Sequence, residues 1–178
     1  MNLFILRHAS AGTSRTNPLL DVKRPLDRDG KRHCLQLAHI ITNLKIQFDL
    51  IVSSPLKRSL QTAALLGTET GYEAQILLSS ALAPTATLPD FQKLLHEYES
   101  IENLLVVGHN PNLTSFLGSL LVPPAAHSAA TVRLRKGSLA RVNLTRGPAM
   151  LQWLLDPRMV RSLYATSTKS SRRKTSRK

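Results

Sequence analysis

The chain has one cysteine in 178 residues, and an aromatic fraction of only 4%. A lone Cys34 excludes an internal disulfide and any thiolate-rich metal site. It falls in a helix-like segment, where a buried, inert thiol is expected. With so few aromatics, packing must rest on Leu, Ile, Val and Ala. No apolar run approaches the length of a membrane span, and the N-terminus carries no charged-then-apolar signal pattern. A soluble, cytoplasmic chain is the expectation. Acidic residues are also scarce, 11 against 24 Lys and Arg, for a net charge of +13.

That charge is unevenly placed. From Arg158 onward the chain has eight Lys or Arg and no acid, which leaves 24 − 8 = 16 basic against 11 acidic groups before it, a balance of +5. Residues 1–157 are expected to form one folded domain. Residues 158–178 read as a basic, disordered tail suited to contact with a polyanion. The small excess in the body suits an anionic ligand.

Three times a buried-strand pattern ends in residues that can do chemistry. Leu3-Phe4-Ile5-Leu6 runs into Arg7-His8. Leu50-Ile51-Val52 runs through Ser53-Ser54-Pro55 into a helix expected to reach Gly67, with Arg58 in its first turn. Leu104-Leu105-Val106-Val107 runs into Gly108-His109, and Gly108 permits a close backbone approach. Pro111 then opens a helix through Leu120, and Pro123-Pro124 breaks the chain.

Between these lie further elements. Ala9 to Pro18 reads as a loop. A helix is expected from Asp29 to Leu44, capped by Asp27 and buried along Leu35, Ala38, Ile41 and Leu44, with His33 and His39 at the surface. Gln75–Leu78 suggests a short strand, and Pro89–Tyr98 a helix. Residues 138–144 and 149–155 read as a hairpin turned at Gly147-Pro148, on an antiparallel edge.

The order implies an α/β fold: three layers, a mainly parallel sheet with an antiparallel edge, and helices on both faces. Parallel strands deliver their carboxyl ends to one rim, so Arg7, His8, Arg58 and His109 should meet there. Two guanidiniums and two imidazoles without a carboxylate describe a site for a multiply charged oxyanion, phosphate above all. An imidazole can attack phosphorus as a nucleophile, and nearby cations favour its neutral form. No metal or cofactor is called for.

Leu6-Arg7-His8-Ala9 resembles the Arg-His-Gly signature of the histidine phosphatase superfamily, with Ala9 in place of glycine. Ser53-Ser54-Pro55-Leu56-Lys57-Arg58 through Ala63 and Val107-Gly108-His109-Asn110 are similar to its later phosphate-binding segments. Arg24-Pro25-Leu26 followed by Asp29-Gly30 resembles the SixA-type phosphohistidine phosphatases. The resemblance covers residues 1–157 and implies a phosphoglycerate mutase-like fold. It implies a nucleophile at His8, and phosphoryl binding by Arg7, Arg58 and His109, with Arg24 either touching the phosphate or in a structural salt bridge. It implies a phosphohistidine-bearing partner such as a histidine phosphotransfer domain. Larger superfamily members use a mid-chain acid to protonate an alcohol leaving group, but Ser79 to Leu88 has no Asp or Glu, and Asp90 sits where a helix cap is expected. Phosphohistidine is therefore the expected substrate. A phosphatase of small phosphomonoesters, or a non-catalytic phosphate- or polyanion-binding module, are the alternatives.

Overall fold

The computed structural model describes residues 1–122, 130–144 and 149–175, with side chains as far as residue 168. The Pro123-Pro124 break and the Gly147-Pro148 turn lie outside the described residues. Six strands form one sheet: β1 (Asn2–Arg7), β2 (Leu50–Ser53), β3 (Leu77–Leu78), β4 (Asn103–Gly108), β5 (Leu139–Asn143) and β6 (Met150–Leu155). Their order is β3-β2-β4-β1-β5-β6. The first four are parallel, and β5 and β6 join antiparallel beside β1. The structure has the expected three-layer α/β/α form, parallel sheet with antiparallel edge.

β1 shows how the layers arise. Leu3 and Ile5 point into a cluster with Phe91, Leu94, Leu113, Phe116 and Leu117, from α4 (Leu88–Glu97) and α5 (Asn112–Leu120). Phe4 and Leu6 point the other way, toward Leu37, Ile41, Ala63, Leu66 and Val160. Those belong to α2 (Arg28–Asn43), α3 (Lys57–Glu69) and α6 (Pro157–Thr175). A strand buried on both faces needs such an unbroken apolar run.

α2 begins as expected: Asp27 caps it, its Oδ1 accepting from Gly30 N at 2.7 Å. Its buried face differs from the expected stripe. Leu35 and Leu44 are exposed, while Gly30, His33, Cys34, Leu37, Ala38, Ile40 and Ile41 are covered. A strict spacing of three drifts 60° per step around a helix, so it leaves the core face. His33, expected at the surface, is buried and donates from Nε2 to Gly137 O at 2.8 Å. His39 is half-buried, 3.0 Å from Ser167 Oγ. Cys34 is buried as expected, and burial pushes its thiol up to about 12.

The folded body does not end near Pro157. Pro157 is the first residue of α6, whose start is held by Asp156 Oδ1 accepting from Arg158 N at 2.8 Å. Val160 is fully buried, and the ring of Tyr164 meets His39 edge-on at 5.1 Å. The first half of the segment expected to be a disordered tail is thus a helix packed on α2. A short helix, α1 (Pro18–Val22), begins where the expected Ala9–Pro18 loop ends, in residues for which no element was expected, and is started by Asn17 Oδ1 accepting from Leu19 N. None of its own residues is buried.

Candidate active site

The β1–β4 register pairs Arg7 with Gly108, so the next residues, His8 and His109, leave the sheet side by side. Their rings lie 5.0 Å apart at 52°. Gly108 is held close: a Cβ there would sit 3.0 Å from Leu82 O. β2 runs beside β4, and Ser54 N donates to Val107 O at 2.9 Å, which puts the start of α3 at the same rim. Arg58, in the first turn of α3, completes the group. Neither α3 nor α5 has a side-chain N-cap, so both helices start at this rim with uncapped amides. The four residues expected to converge, Arg7, His8, Arg58 and His109, do so.

Each is oriented by a specific partner. His8 Nδ1 is 2.8 Å from the carbonyl of Ala9, which can only accept. The ring proton therefore sits on Nδ1 and the lone pair on Nε2. His109 Nε2 lies 2.8 Å from Ser54 Oγ and 3.1 Å from Ser59 Oγ. A hydroxyl donating there leaves the proton on His109 Nδ1. That Nδ1 is buried and has no partner, as are Arg7 Nε and Arg58 Nε. Buried donors without partners are rare, and three around one pocket make a cradle for an anion. Arg7 Nη1 donates to Leu134 O at 2.9 Å. Arg58 Nη1 donates to Asp21 O at 3.0 Å and pairs with Asp21 Oδ2 at 3.2 Å.

Electrostatics keep both imidazoles neutral. Burial, and then the Arg58 and Arg7 guanidiniums, push His8 down to about 3. Burial, then His8 and the same arginines, push His109 down to about 3. Burial is the larger cause in each, ahead of the neighbouring cations.

Arg24 has a different place. Its Nε meets Asp21 Oδ1 at 2.8 Å, and its Nη1 donates to Ala11 O at 2.8 Å and Gly12 O at 3.2 Å. Of the two expectations for it, the geometry displays the salt bridge, through which it steadies the carboxylate that holds Arg58. Asp21 was not singled out in the sequence, where only its spacing of three to Arg24 marks it. Ser54, Ser59 and Thr62 were also missed as orienting groups. Thr62 Oγ1 accepts from Ala9 N at 3.1 Å. Ala9 itself, in the place of the expected glycine, is fully buried against Ala11, Leu26 and Cys34. Among the described residues no group of three or more His, Cys, Asp or Glu is placed to hold a metal ion, and no helix is long and apolar enough to cross a membrane.

An α/β sheet that brings two imidazoles and two guanidiniums to one rim has the charge and the donors to hold an oxyanion such as phosphate. Residues 3–82 match the model of the histidine phosphatase superfamily (branch 1). An uncharacterized protein of Picosynechococcus sp. (strain PCC 7002) is 30% identical over 155 residues, covering 85% of this chain and 89% of that one. The protein belongs to the histidine phosphatase superfamily, and is a phosphatase of that superfamily. Its fold is similar to that of the protein histidine phosphatase SixA complexed with tungstate, with a TM-score of 0.77 and 22% identity over 88% of this chain and 97% of the other. It is also similar to that of the alpha-ribazole phosphatase from Shigella flexneri, with a TM-score of 0.69 and 18% identity over 88% and 97%. These two neighbours are named for different substrates.

Proposed function

We propose that the protein removes a phosphoryl group from phosphohistidine on a signalling protein, through a covalent intermediate on His8. The observation that carries this reading is the state of two carboxylates, Asp21 beside Arg58 and Asp90, the acid nearest in sequence to the acid-free segment Ser79–Leu88. Asp21, the acid that touches the site, accepts from Arg15 N and pairs with Arg24 and Arg58, which hold it well below the usual carboxylate range. Asp90 is tied into the capping box of α4, where hydrogen bonds from the Thr87 side chain and backbone hold its carboxyl below its ordinary value. Neither can protonate a leaving alkoxide at neutral pH, and losing general-acid assistance costs about 10²–10⁴-fold.

A phosphohistidine needs no such acid. His8 Nε2 attacks phosphorus, a new N–P bond forms, and the substrate's N–P bond breaks. The departing ring, protonated on its other nitrogen, leaves as neutral imidazole. His8, with its proton on Nδ1, then carries the phosphoryl group on Nε2 in the same charge state the substrate had. Water attacks phosphorus, the Nε2–P bond breaks, and dihydrogen phosphate and neutral His8 are released. Both steps expel the same kind of leaving group, so a pocket able to complete the second can perform the first. Arg7 Nε, Arg58 Nε and His109 Nδ1 donate to the equatorial oxygens, where charge is redistributed as the phosphoryl group transfers. The tungstate bound by the SixA neighbour suits such a cradle.

The test is phosphate release from a phosphorylated histidine phosphotransfer domain, beside release from phosphoserine, with His8→Ala as control. Release from the phosphohistidine that falls by about four orders of magnitude in the variant is expected, since a nucleophile's loss removes the route itself. Faster release from phosphoserine would transfer the assignment to a small-molecule phosphatase.

A further inference from the structure

Beside Arg7 the surface opens into a depression lined by Arg7, Ser10, Arg135, Lys136, Arg158 and Arg161, with Pro157 at its edge. No acidic side chain lines it. Arg135 Nε has an ion pair, at 3.4 Å, with Asp156. Among the described residues Lys136, Arg158 and Arg161 have none, and all three are exposed. Two independent pieces of chain meet here. The turn before β5 supplies Arg135 and Lys136, and the first turns of α6 supply Arg158 and Arg161. Val160, buried on α2, fixes where those two arginines project. Next to Arg58, α1 presents Leu19, Leu20 and Val22 to solvent at 75%, 57% and 46% exposure. Asp21 of the same helix grips Arg58.

We infer that this basic face, with α6 as part of it, docks an acidic surface of the protein that carries the phosphoryl group. A cationic face continuous with the phosphate cradle attracts carboxylates that flank the phosphorylated side chain. The exposed apolar residues of α1, the helix whose Asp21 holds Arg58, suit a folded protein partner more than a polynucleotide or a small phosphate ester. The C-terminal segment thus acts in substrate recognition. The inference rests on the phosphohistidine reading only for the identity of the group the partner carries.

The experiment uses the full chain and an Arg158→Glu/Arg161→Glu variant, with Arg158→Gln/Arg161→Gln as the milder second. Both positions are exposed, so a thermal melt matching wild type confirms that the fold survives. With a phosphorylated histidine phosphotransfer domain as substrate, KM should rise at least about tenfold in the reversal variant and less in the neutral one. Hydrolysis of phosphoramidate, a small N–P compound, should stay as in wild type. The KM of wild type should rise with salt, and that of the variant should rise less. An unchanged KM on the protein substrate, or an equal loss on both substrates, would overturn the inference. A binding arm is independent of turnover: fluorescence anisotropy with labelled decaglutamate and with a ten-nucleotide single-stranded DNA. Decaglutamate binding by wild type that weakens at least tenfold in the reversal variant supports the docking face. Equal binding by both proteins, or tighter binding of the DNA, overturns it. If wild type leaves the phosphoprotein untouched, the phosphohistidine reading fails, and the decaglutamate result still decides the docking face.

Discussion

The floor of the pocket and the face beside it are both cationic, yet they are built in opposite ways. On the floor, Arg58 is 6% exposed and His8 and His109 are 5% and 3% exposed, each aimed by a named partner. On the face, Arg158 and Arg161 stand in solvent with no ion pair among the described residues. Desolvated, oriented donors discriminate by geometry and act strongly at short range. Solvated ones act through a screened field, which favours encounter over precise positioning. The two regions also differ in what acid does to them. The floor contains imidazoles held neutral, mainly by burial, whereas no imidazole lines the face.

Acid is therefore the sharpest way to separate them. In the folded chain His8 and His109 are pushed down to about 3, mainly by burial, while an unfolded histidine titrates near its ordinary value. Between those values the unfolded state binds more protons, so stability falls as pH drops from about 6.5 toward 3, by up to about 1.4 kcal/mol per pH unit for each histidine. Above that window the slope from these groups vanishes. Melting temperature measured from pH 8 to 4 should be flat and then descend, and His109→Gln should flatten the descent. An unaltered acid limb in that variant would show that its imidazole is not held neutral. Arg158→Gln should leave the whole curve in place.

The next effect is kinetic. Arg58→Ala removes a buried donor aimed at the anion, and kcat/KM should fall about 10²–10³-fold, the usual effect of one oriented oxyanion donor. Arg58→Lys should recover little, because an ammonium cannot both pair with Asp21 and offer the second, Nε-type donor. A lysine variant near wild-type rate would mean that charge alone matters on the floor, erasing the contrast with the face.

The floor was legible in the sequence where strand ends carry it. Arg7, His8 and His109 follow apolar runs, and parallel strands bring such ends together. What was illegible depends on contacts between distant segments. α1 has only five residues and no buried one, so no periodicity marks it, and Asp21 went unnoticed with it. His33 lies on the buried face of α2 because the turn before β5 offers a carbonyl, 104 residues away in sequence. α6 was hidden by composition: one Val and one Tyr at helical spacing meet α2, amid residues that on their own would not pack. Pro157 reads equally as a terminator and as a first helical residue, and Asp156 decides for the second.

His33 tests how the two regions are joined, with the smallest expected effect. The turn of residues 134–138 serves both. Inward, Leu134 O receives Arg7, Gly137 N donates to Arg7 O at 3.0 Å and His8 O at 3.1 Å, and Ser138 O accepts from Arg7 N. Outward, the same turn presents Arg135 and Lys136. Gly137 has φ +83°, and a Cβ there would lie 2.4 Å from the His33 ring, so the imidazole packs directly on the turn and donates to its carbonyl. In His33→Ala the buried carbonyl of Gly137 loses its donor, which should cost about 1–3 kcal/mol. For a chain of this size that lowers Tm by about 2–4 °C per kcal/mol. Burial also keeps His33 below its ordinary pKa, so the variant should lose part of the acid limb as well. If the turn couples floor and face, the KM for the phosphoprotein and for phosphoramidate should both rise a few-fold, unlike the Arg158 and Arg161 variants, which move only the first. A loss of stability with both KM values unchanged would make His33 a packing residue and leave the two regions independent of each other.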